Sequence, residues 1–337
     1  MQAHNHFQLK PYNTFSISAI AKFFASFSSM EELQEVLESK EASGAVMILG
    51  GGSNILFTHD YNGLIIKNEI PGIMVSAQDN DFTYVTAGAG ESWDELVSFC
   101  VNRDLSGIEN LSLIPGNCGA APMQNIGAYG VELADVFYEL RAYHIAEKKI
   151  VVFNKNACAF GYRESVFKKE LKGEFVIIDI TLKLNKRPVY NISYDALKKE
   201  LEKLNNSELS VKLISDTVSN IRRTKLPDPK VIGNAGSFFK NPVVSDEVHD
   251  QLRSSFPNII SYASGEGCYK LAAAWLIEQC GYKGFKRGDA GCHKDQALVI
   301  VNYGEASGEQ IYALSEEILN AVVKKFGVVL EREVNIV

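Results

Sequence analysis

Pro115-Gly116-Asn117-Cys118-Gly119-Ala120-Ala121-Pro122-Met123-Gln124-Asn125-Ile126-Gly127-Ala128-Tyr129-Gly130 carries four glycines and two prolines in sixteen positions. Neither a regular helix nor a central strand tolerates that density. Glycine admits φ > 0 and leaves no Cβ in the way of a ligand. Proline locks φ and gives up its N–H. The run predicts a rigid loop whose amides approach something closely, and amides aligned in such a turn form an anion-binding concavity. Ile114, Ala120, Ala121, Met123 and Ile126 are apolar, so the loop is expected to be buried, and buried irregular backbone must find partners. A large polyanionic ligand meets that demand; an ordinary turn-rich surface loop is the plainer alternative.

A second glycine turn, Leu49-Gly50-Gly51-Gly52-Ser53-Asn54, stands between the apolar runs 46–49 and 55–57. It does not open a helix as G-x-G-x-x-G, and no Walker A sequence is present. Alone it reads as a tight hairpin. Together with residues 115–130 it could clamp the diphosphate of a dinucleotide such as FAD or NAD from two sides.

Outward from these turns the chain reads as mixed α and β. Ser29 and Glu32 make a capping box ahead of Leu33, Val36 and Leu37, and Ser92 with Glu95 makes another ahead of Leu96, Phe99 and Cys100. Strands are expected at 46–49, 55–57, 64–66 and 82–87. Residues 131–153 and 174–184 look extended, with Val176, Ile178, Ile180, Leu182 and Leu184 on one face at period two. Helices are expected near 211–223, over 267–280 with Gly281 as its C-terminal stop, and from Ser307 to Gly327 with Gln310 completing a box. Leu226-Pro227-Asp228-Pro229 reads as a breaker and hinge. A strand is expected at 297–301, and another closes the chain from Val328 to Ile336. The division is 1–70, 71–210 and 211–327, with the terminal strand 328–337 able to pack back on the first unit.

Bulk properties narrow the class. At 337 residues and 46 % hydrophobic, the chain has room for two or three domains with real cores. A formal charge of −7 argues against a nucleic-acid binder. Six cysteines without a C-x-x-C pair point to reduced, buried thiols rather than zinc or redox chemistry. The start, MQAHNHFQLKPYNTF, has no signal pattern, and no apolar run reaches the roughly 18 residues of a membrane span. His4, His6, His59, His144, His249 and His293 form no ligand spacing, so no metal is expected. A soluble cytoplasmic protein without membrane insertion is the expectation.

Other clusters carry chemistry. In Phe160-Gly161-Tyr162-Arg163-Glu164-Ser165 an arginine beside an aromatic suits bidentate capture of a carboxylate, or forms a surface pair with Glu164. In Gly233-Asn234-Ala235-Gly236-Ser237-Phe238-Phe239-Lys240-Asn241-Pro242 the serine lacks the G-x-S-x-G elbow, so it reads as a proton donor or as a turn cap. Arg222, Arg223, Lys225 and Lys230 flank the breaker as a solvated face or an anion site. Glu331 and Glu333 share a face of the terminal strand, as surface charges or with one serving as an acid.

As an ordered set these segments resemble the UDP-N-acetylenolpyruvoylglucosamine reductase family. The likeness takes in Leu9-Lys10-Pro11-Tyr12-Asn13-Thr14-Phe15, residues 49–57, Gly88-Ala89-Gly90-Glu91, and residues 114–132 and 160–167. It continues through residues 224–230, 233–242, 270–273 and 330–334. Residues 131–173 and the third unit look like the longer form, with its extra tyrosine-bearing loop.

The resemblance implies an α+β fold: an FAD-binding region of the vanillyl-alcohol-oxidase type made of two α+β units, plus a C-terminal substrate-binding domain. It implies non-covalent FAD, with NADPH as hydride donor, and reduction of UDP-N-acetylglucosamine enolpyruvate to UDP-N-acetylmuramate by hydride from flavin N5. Arg163 and Glu333 would stabilise the enolate-like charge, and Ser237 would protonate C2. Cofactor contacts are expected from Gly50, Gly51, Gly52, Ser53, Asn54, Ile114, Pro115, Gly116, Asn117, Gly119, Gln124, Asn125, Ile126 and Gly127. Tyr194 and Lys225 would touch the diphosphate, and Tyr129, Asn241, Tyr262 and Gln296 other parts of the substrate. Ala120 and Ala121 stand where some members carry serines. No histidine in 115–130 offers a covalent flavin link. A monomer with small-molecule partners is expected. Rival readings are another flavoprotein oxidoreductase of this fold and a non-catalytic nucleotide-sugar binder.

Overall fold

In the computed structural model, which describes residues 3–204 and 208–337, the chain forms two units. One holds the N-terminal segment up to Phe7, Ala21–Gly51 and Asn62–Thr224; the other holds Gln8–Ile20, Gly52–Tyr61 and Lys225–Val337. The α+β class is as expected. Among the described residues no helix is long and apolar enough to cross a membrane.

The first unit is built on two sheets. A four-stranded sheet runs in the order His4–Gln8, Ile20–Phe27, Tyr61–Asn68, Val46–Leu49. Its last pair is parallel, with Val46 opposite Leu64. A five-stranded antiparallel sheet runs in the order Lys149–Asn154, Phe137–His144, Phe175–Asn185, Phe82–Gly88, Ile73–Gln78. Between them, Ala25, Phe27, Leu33, Val36, Leu64 and Ile66 pack with Tyr143, Val176 and Ile178. A larger core on the opposite side joins Val85, Ala87, Trp93, Leu96, Ile180, Leu182 and Leu184.

That partition corrects the one-face reading of strand Phe175–Asn185. Leu140 pairs with Ile180 and Arg141 with Asp179, but Ala142 pairs with Ile177, so Ile178 is an extra residue. A β-bulge reverses the side-chain parity along a strand. Val176 and Ile178 therefore serve one core, and Ile180, Leu182 and Leu184 the other.

Helix Met30–Leu37 begins as expected, with the Ser29 hydroxyl accepting from the Glu32 amide. The reciprocal bond is displaced by one residue, because Glu32 accepts from the amide of Ser28 at 2.7 Å. Helix Trp93–Val101 has no side-chain cap at Ser92. The Trp93 amide bonds instead to the carbonyl of Gly116 at 3.0 Å, and Ser92 bridges Asn117. Tertiary pairing with the glycine run replaces the local cap.

In the second unit one sheet has the order Gly233–Asn234, Ile300–Asn302, Ala290–Cys292, Lys286–Arg287, and another the order Val243–Ser245, Cys268–Leu271, Ser261–Ala263. The expected helix over 267–280 is shorter: Cys268–Leu271 is strand, and the helix is Ala273–Gln279. Cys268 sits opposite Ser245, and that pairing outweighs local propensity. Helix Gly308–Phe326 carries the full capping box and ends at Gly327 with φ +69. The terminal strand is also shorter than expected. Asn335–Ile336 pairs in parallel with Ile55–Leu56, while Arg332 bridges Phe239 and bonds Ser315 at 2.9 Å.

Candidate active site

The glycine-rich run is not wholly irregular. Cys118–Gln124 winds as a 3-10 helix with Pro122 inside it. Of the five apolar residues expected to bury the loop, only Ala121 is buried; Ala120 and Met123 are exposed and Ile114 and Ile126 half-buried, while Cys118, Pro122 and Asn125 are buried. Three-residue periodicity turns every third side chain inward and leaves the others out.

The run is bolted to the turn after strand Phe82–Gly88. The Cys118 amide donates to Glu91 O at 2.8 Å, and the Gly119 amide to Ala89 O at 3.0 Å. A Cβ on Gly119 would fall 2.5 Å from that of Ala89, so only glycine allows this approach. Cys118 is buried among the same groups, and burial pushes its thiol up, away from reactivity.

Gly50 and Gly51 lie against the same run. A Cβ on Gly51 would sit 2.5 Å from Asn117 Oδ1 and 2.9 Å from Gly116 Cα. Asn117 is itself tied to Gly90 O. Two side-chain-poor turns thus meet within the first unit. The groups gathered there, Gly50, Gly51, Gly116, Asn117, Gly119 and Ala120, contain no carboxylate. Neutral backbone packed this closely suits an anionic phosphate. The remainder of the first turn belongs to the second unit, where Gly52 O accepts from the Thr14 amide at 3.0 Å and a side chain on Gly52 would collide with Tyr12 O.

Arg163 lies in a tight turn closed by paired hydrogen bonds between Gly161 and Glu164 at 3.0 and 3.2 Å. Its φ of +56 is uncommon for a residue with a side chain, and such backbone clusters at functional sites. Its side chain is 16 % exposed. Nη2 donates to Gly127 O at 2.5 Å. The turn is fastened to the glycine run twice: Ser165 Oγ donates to Met123 O at 2.7 Å, and Asn125 Nδ2 to Gly161 O at 3.1 Å. The Asn125 amide also donates to Glu132 Oε2 at 2.8 Å and accepts from the Ala134 amide at 2.9 Å.

Tyr129 and Tyr194 meet edge to face, with centroids 5.2 Å apart. Burial raises the Tyr129 phenol above its usual pKa, with a bond to Arg222 opposing the shift. Arg222 also donates to Leu113 O at 3.2 Å. Asn110 Nδ2 donates to both Tyr129 O and Asn191 O, at 2.9 and 2.8 Å, and Asn191 returns a bond to Gly130 O at 2.8 Å. The Tyr194 segment is thereby stapled to the end of the glycine run.

In the second unit the structure joins Asn54, Glu333 and Phe238, the residue after Ser237, which are far apart in sequence. The Glu333 amide donates to Phe238 O at 2.9 Å, and the Lys240 amide to Glu331 O at 2.8 Å. Asn54 Nδ2 donates to Glu333 O at 3.2 Å. Ser237 is half-buried and follows Gly236, whose amide is held by Asn234 Oδ1 at 2.9 Å. Lys240 is 6 % exposed, and its Nζ lies 2.6 Å from Glu331 Oε1.

The remaining expected residues are more local. Asn241 Oδ1 accepts from the Ala273 amide at 2.9 Å, which caps helix Ala273–Gln279. Tyr262 is 51 % exposed on strand Ser261–Ala263, opposite Lys270. Gln296 O accepts from Val299 N at 3.1 Å. Lys225 is exposed at the end of helix Val211–Lys225. Sequence reasoning passed over Glu132, Asn191, Lys240 and the side-chain work of Asn125. Their signal is polar atoms bonded across long sequence separations, which one sequence does not display.

A family profile described as UDP-N-acetylenolpyruvoylglucosamine reductase, C-terminal domain, matches residues 228–337. A profile described as FAD binding domain matches residues 21–153. The chain is 46 % identical to UDP-N-acetylenolpyruvoylglucosamine reductase of Amoebophilus asiaticus, over 100 % of both chains. It is 45 % identical to the enzyme of that name from Flavobacterium johnsoniae, again over 100 % of both. The crystal structure of UDP-N-acetylenolpyruvylglucosamine reductase from Thermus caldophilus superposes with a TM-score of 0.70 at 24 % identity, covering 100 % of this chain and 99 % of the other, and so shares its fold. The chain belongs to the UDP-N-acetylenolpyruvoylglucosamine reductase family.

Proposed function

We propose that this chain reduces the enolpyruvyl group of UDP-N-acetylglucosamine enolpyruvate to give UDP-N-acetylmuramate, a precursor of peptidoglycan, with non-covalently held FAD and with NADPH as reductant. The chemistry FAD supplies when bound is hydride transfer, from NADPH to the enolpyruvyl C3. Gly50, Gly51, Gly116, Asn117 and Gly119 hold its diphosphate through backbone. Gly52, Ser53, Asn54, Ile114, Pro115, Gln124, Asn125, Ile126 and Gly127 complete the cradle.

The protein's own residues handle the charge and the proton. Arg163 faces the substrate carboxylate and stabilises the negative charge that spreads from C2 into it. Glu333 supports the same charge through a hydrogen bond, which requires its proton or a donor beside it. Ser237 gives its proton to C2; a hydroxyl is a weak acid, but an enolate is basic enough to take from a positioned donor. Lys225 and Tyr194 hold the diphosphate of the substrate. Tyr129, Asn241, Tyr262 and Gln296 contact the rest. In this reading residues 211–327 present the substrate, and 1–70 with 71–210 present the cofactor. The enzyme works as a cytoplasmic monomer in cell-wall biogenesis, on which cell shape and division depend.

The observation that supports the reading most is the backbone bond between Glu333 and the residue after Ser237, which draws two residues with proposed catalytic roles to one place. Visible spectroscopy tests it. The purified protein is expected to be yellow, to bleach with NADPH and to regain colour with enolpyruvyl-UDP-N-acetylglucosamine. Bleaching without recovery would indicate a different flavoprotein oxidoreductase, and a colourless protein unable to take up FAD would end the reading.

A further inference from the structure

Glu132 is where three features of the Arg163 site converge. Its Oε1 lies 3.8 Å from Arg163 Nη1. Its Oε2 accepts from Asn125 Nδ2 at 2.8 Å. The same carboxylate caps the short helix Leu133–Val136, accepting from the Asp135 amide while Asp135 Oδ2 accepts from the Glu132 amide at 2.8 Å. Gly127 lies beneath the pair: a Cβ there would be 2.9 Å from both Arg163 Nη1 and Glu132 Cγ. Gly127 is therefore side-chain-free so that arginine and glutamate can cross over it.

We infer that Glu132 is a positioning residue for Arg163, holding the guanidinium in one orientation above Gly127 so that it meets the substrate carboxylate preorganised. The inference rests on the catalytic reading of Arg163 given above. Capping alone does not account for Glu132, because a serine or aspartate caps as well. Nor does stability, because a partly exposed ion pair contributes little. What a fixed counter-ion adds is geometry. Arg163 has rotatable bonds to freeze, and its strained backbone already commits the turn to one direction. Gly127 O and Glu132 then fix two sides of the head group, and Asn125 fixes Glu132 and the Gly161 carbonyl together.

The test is Glu132→Gln in the FAD-loaded enzyme, with both half-reactions followed anaerobically by stopped flow and substrate affinity titrated separately. Glutamine keeps an oxygen for the helix cap and loses the charge. Reduction by NADPH, flavin content and Tm are expected to match wild type, while reoxidation by the enolpyruvyl substrate slows about tenfold or more, the scale of a modest misplacement. Substrate Kd is expected to change less than threefold. Glu132→Asp should recover part of the rate, and Glu132→Gln should add nothing on an Arg163→Met background. Undiminished reoxidation, tighter substrate binding at full rate, or additivity with Arg163→Met overturns the inference. Reoxidation untouched by Arg163→Met itself overturns the reading of Arg163, and the inference with it.

Discussion

The amide of Glu333 donates to the carbonyl of Phe238 at 2.9 Å, so the residue next to Ser237 is locked to the segment that carries the glutamate. Phe238 and Phe239 are buried and pack at 5.2 Å between ring centroids, which keeps the segment from sliding. Lys240 and Glu331 close the same pair two residues on, through backbone and side chain. A hydroxyl next to backbone fixed in this way suits proton delivery, which rewards position more than acidity.

Ser237→Ala is expected to leave flavin reduction by NADPH within about twofold of wild type and to slow reoxidation by the enolpyruvyl substrate by about a hundredfold or more. Rapid-mixing absorbance of the two half-reactions checks this. An equal loss in both would remove the proton-donor role.

Gly51→Ala is expected to weaken FAD retention by about tenfold or more, equivalent to ~1.4 kcal/mol. The added methyl meets Asn117 Oδ1 at 2.5 Å, and Asn117 cannot yield because Gly90 O holds it. The ratio of flavin to protein absorbance after gel filtration reports the outcome. Full flavin occupancy at low FAD would show that the turn has slack.

Ile178→Ala is expected to cost about 2–5 kcal/mol in urea unfolding, as for other large-to-small core changes. The bulge places Ile178 and Ile180 in different cores. The costs of Ile178→Ala and Ile180→Ala should therefore add within about 0.5 kcal/mol. Strong coupling would return both residues to one face.

Glu109 is buried beside Gly107, whose amide it accepts at 2.6 Å. Burial raises its carboxyl above the ordinary range, and the amides of Gly107, Glu109 and Ile108 only partly oppose this. Between the ordinary carboxylate pKa and the raised one, the folded chain keeps a proton that the unfolded chain has released. Stability therefore falls as pH rises across that window. Glu109→Gln keeps an acceptor for Gly107 and cannot ionise, so the variant should gain stability on wild type as pH rises. Parallel unfolding curves of the two proteins across that range would contradict it.

Several elements were legible because their causes are local. Ser307 and Gln310 cap helix Gly308–Phe326 by direct contact, and Gly327 ends it. Val46–Leu49 is bounded by its own glycine turn. The misread elements had remote causes. Ser92 lost its cap to Gly116, residues 268–271 became strand through pairing with Val243–Ser245, and strand Phe175–Asn185 changed parity where it meets Arg141 and Ala142.

The amino-acid order alone determined the glycine turns and the family likeness, because those follow from residue types at fixed spacing; the roles proposed for Arg163, Ser237 and Glu333 rest on that likeness. Tertiary structure decided what each is held by: Glu132 and Gly127 at Arg163, Phe238 and Asn54 at Glu333, Asn125 at the turn that carries the arginine. Spacing along a chain encodes backbone conformation, whereas a hydrogen bond between residues tens or hundreds of positions apart exists only once the sheets and turns have packed.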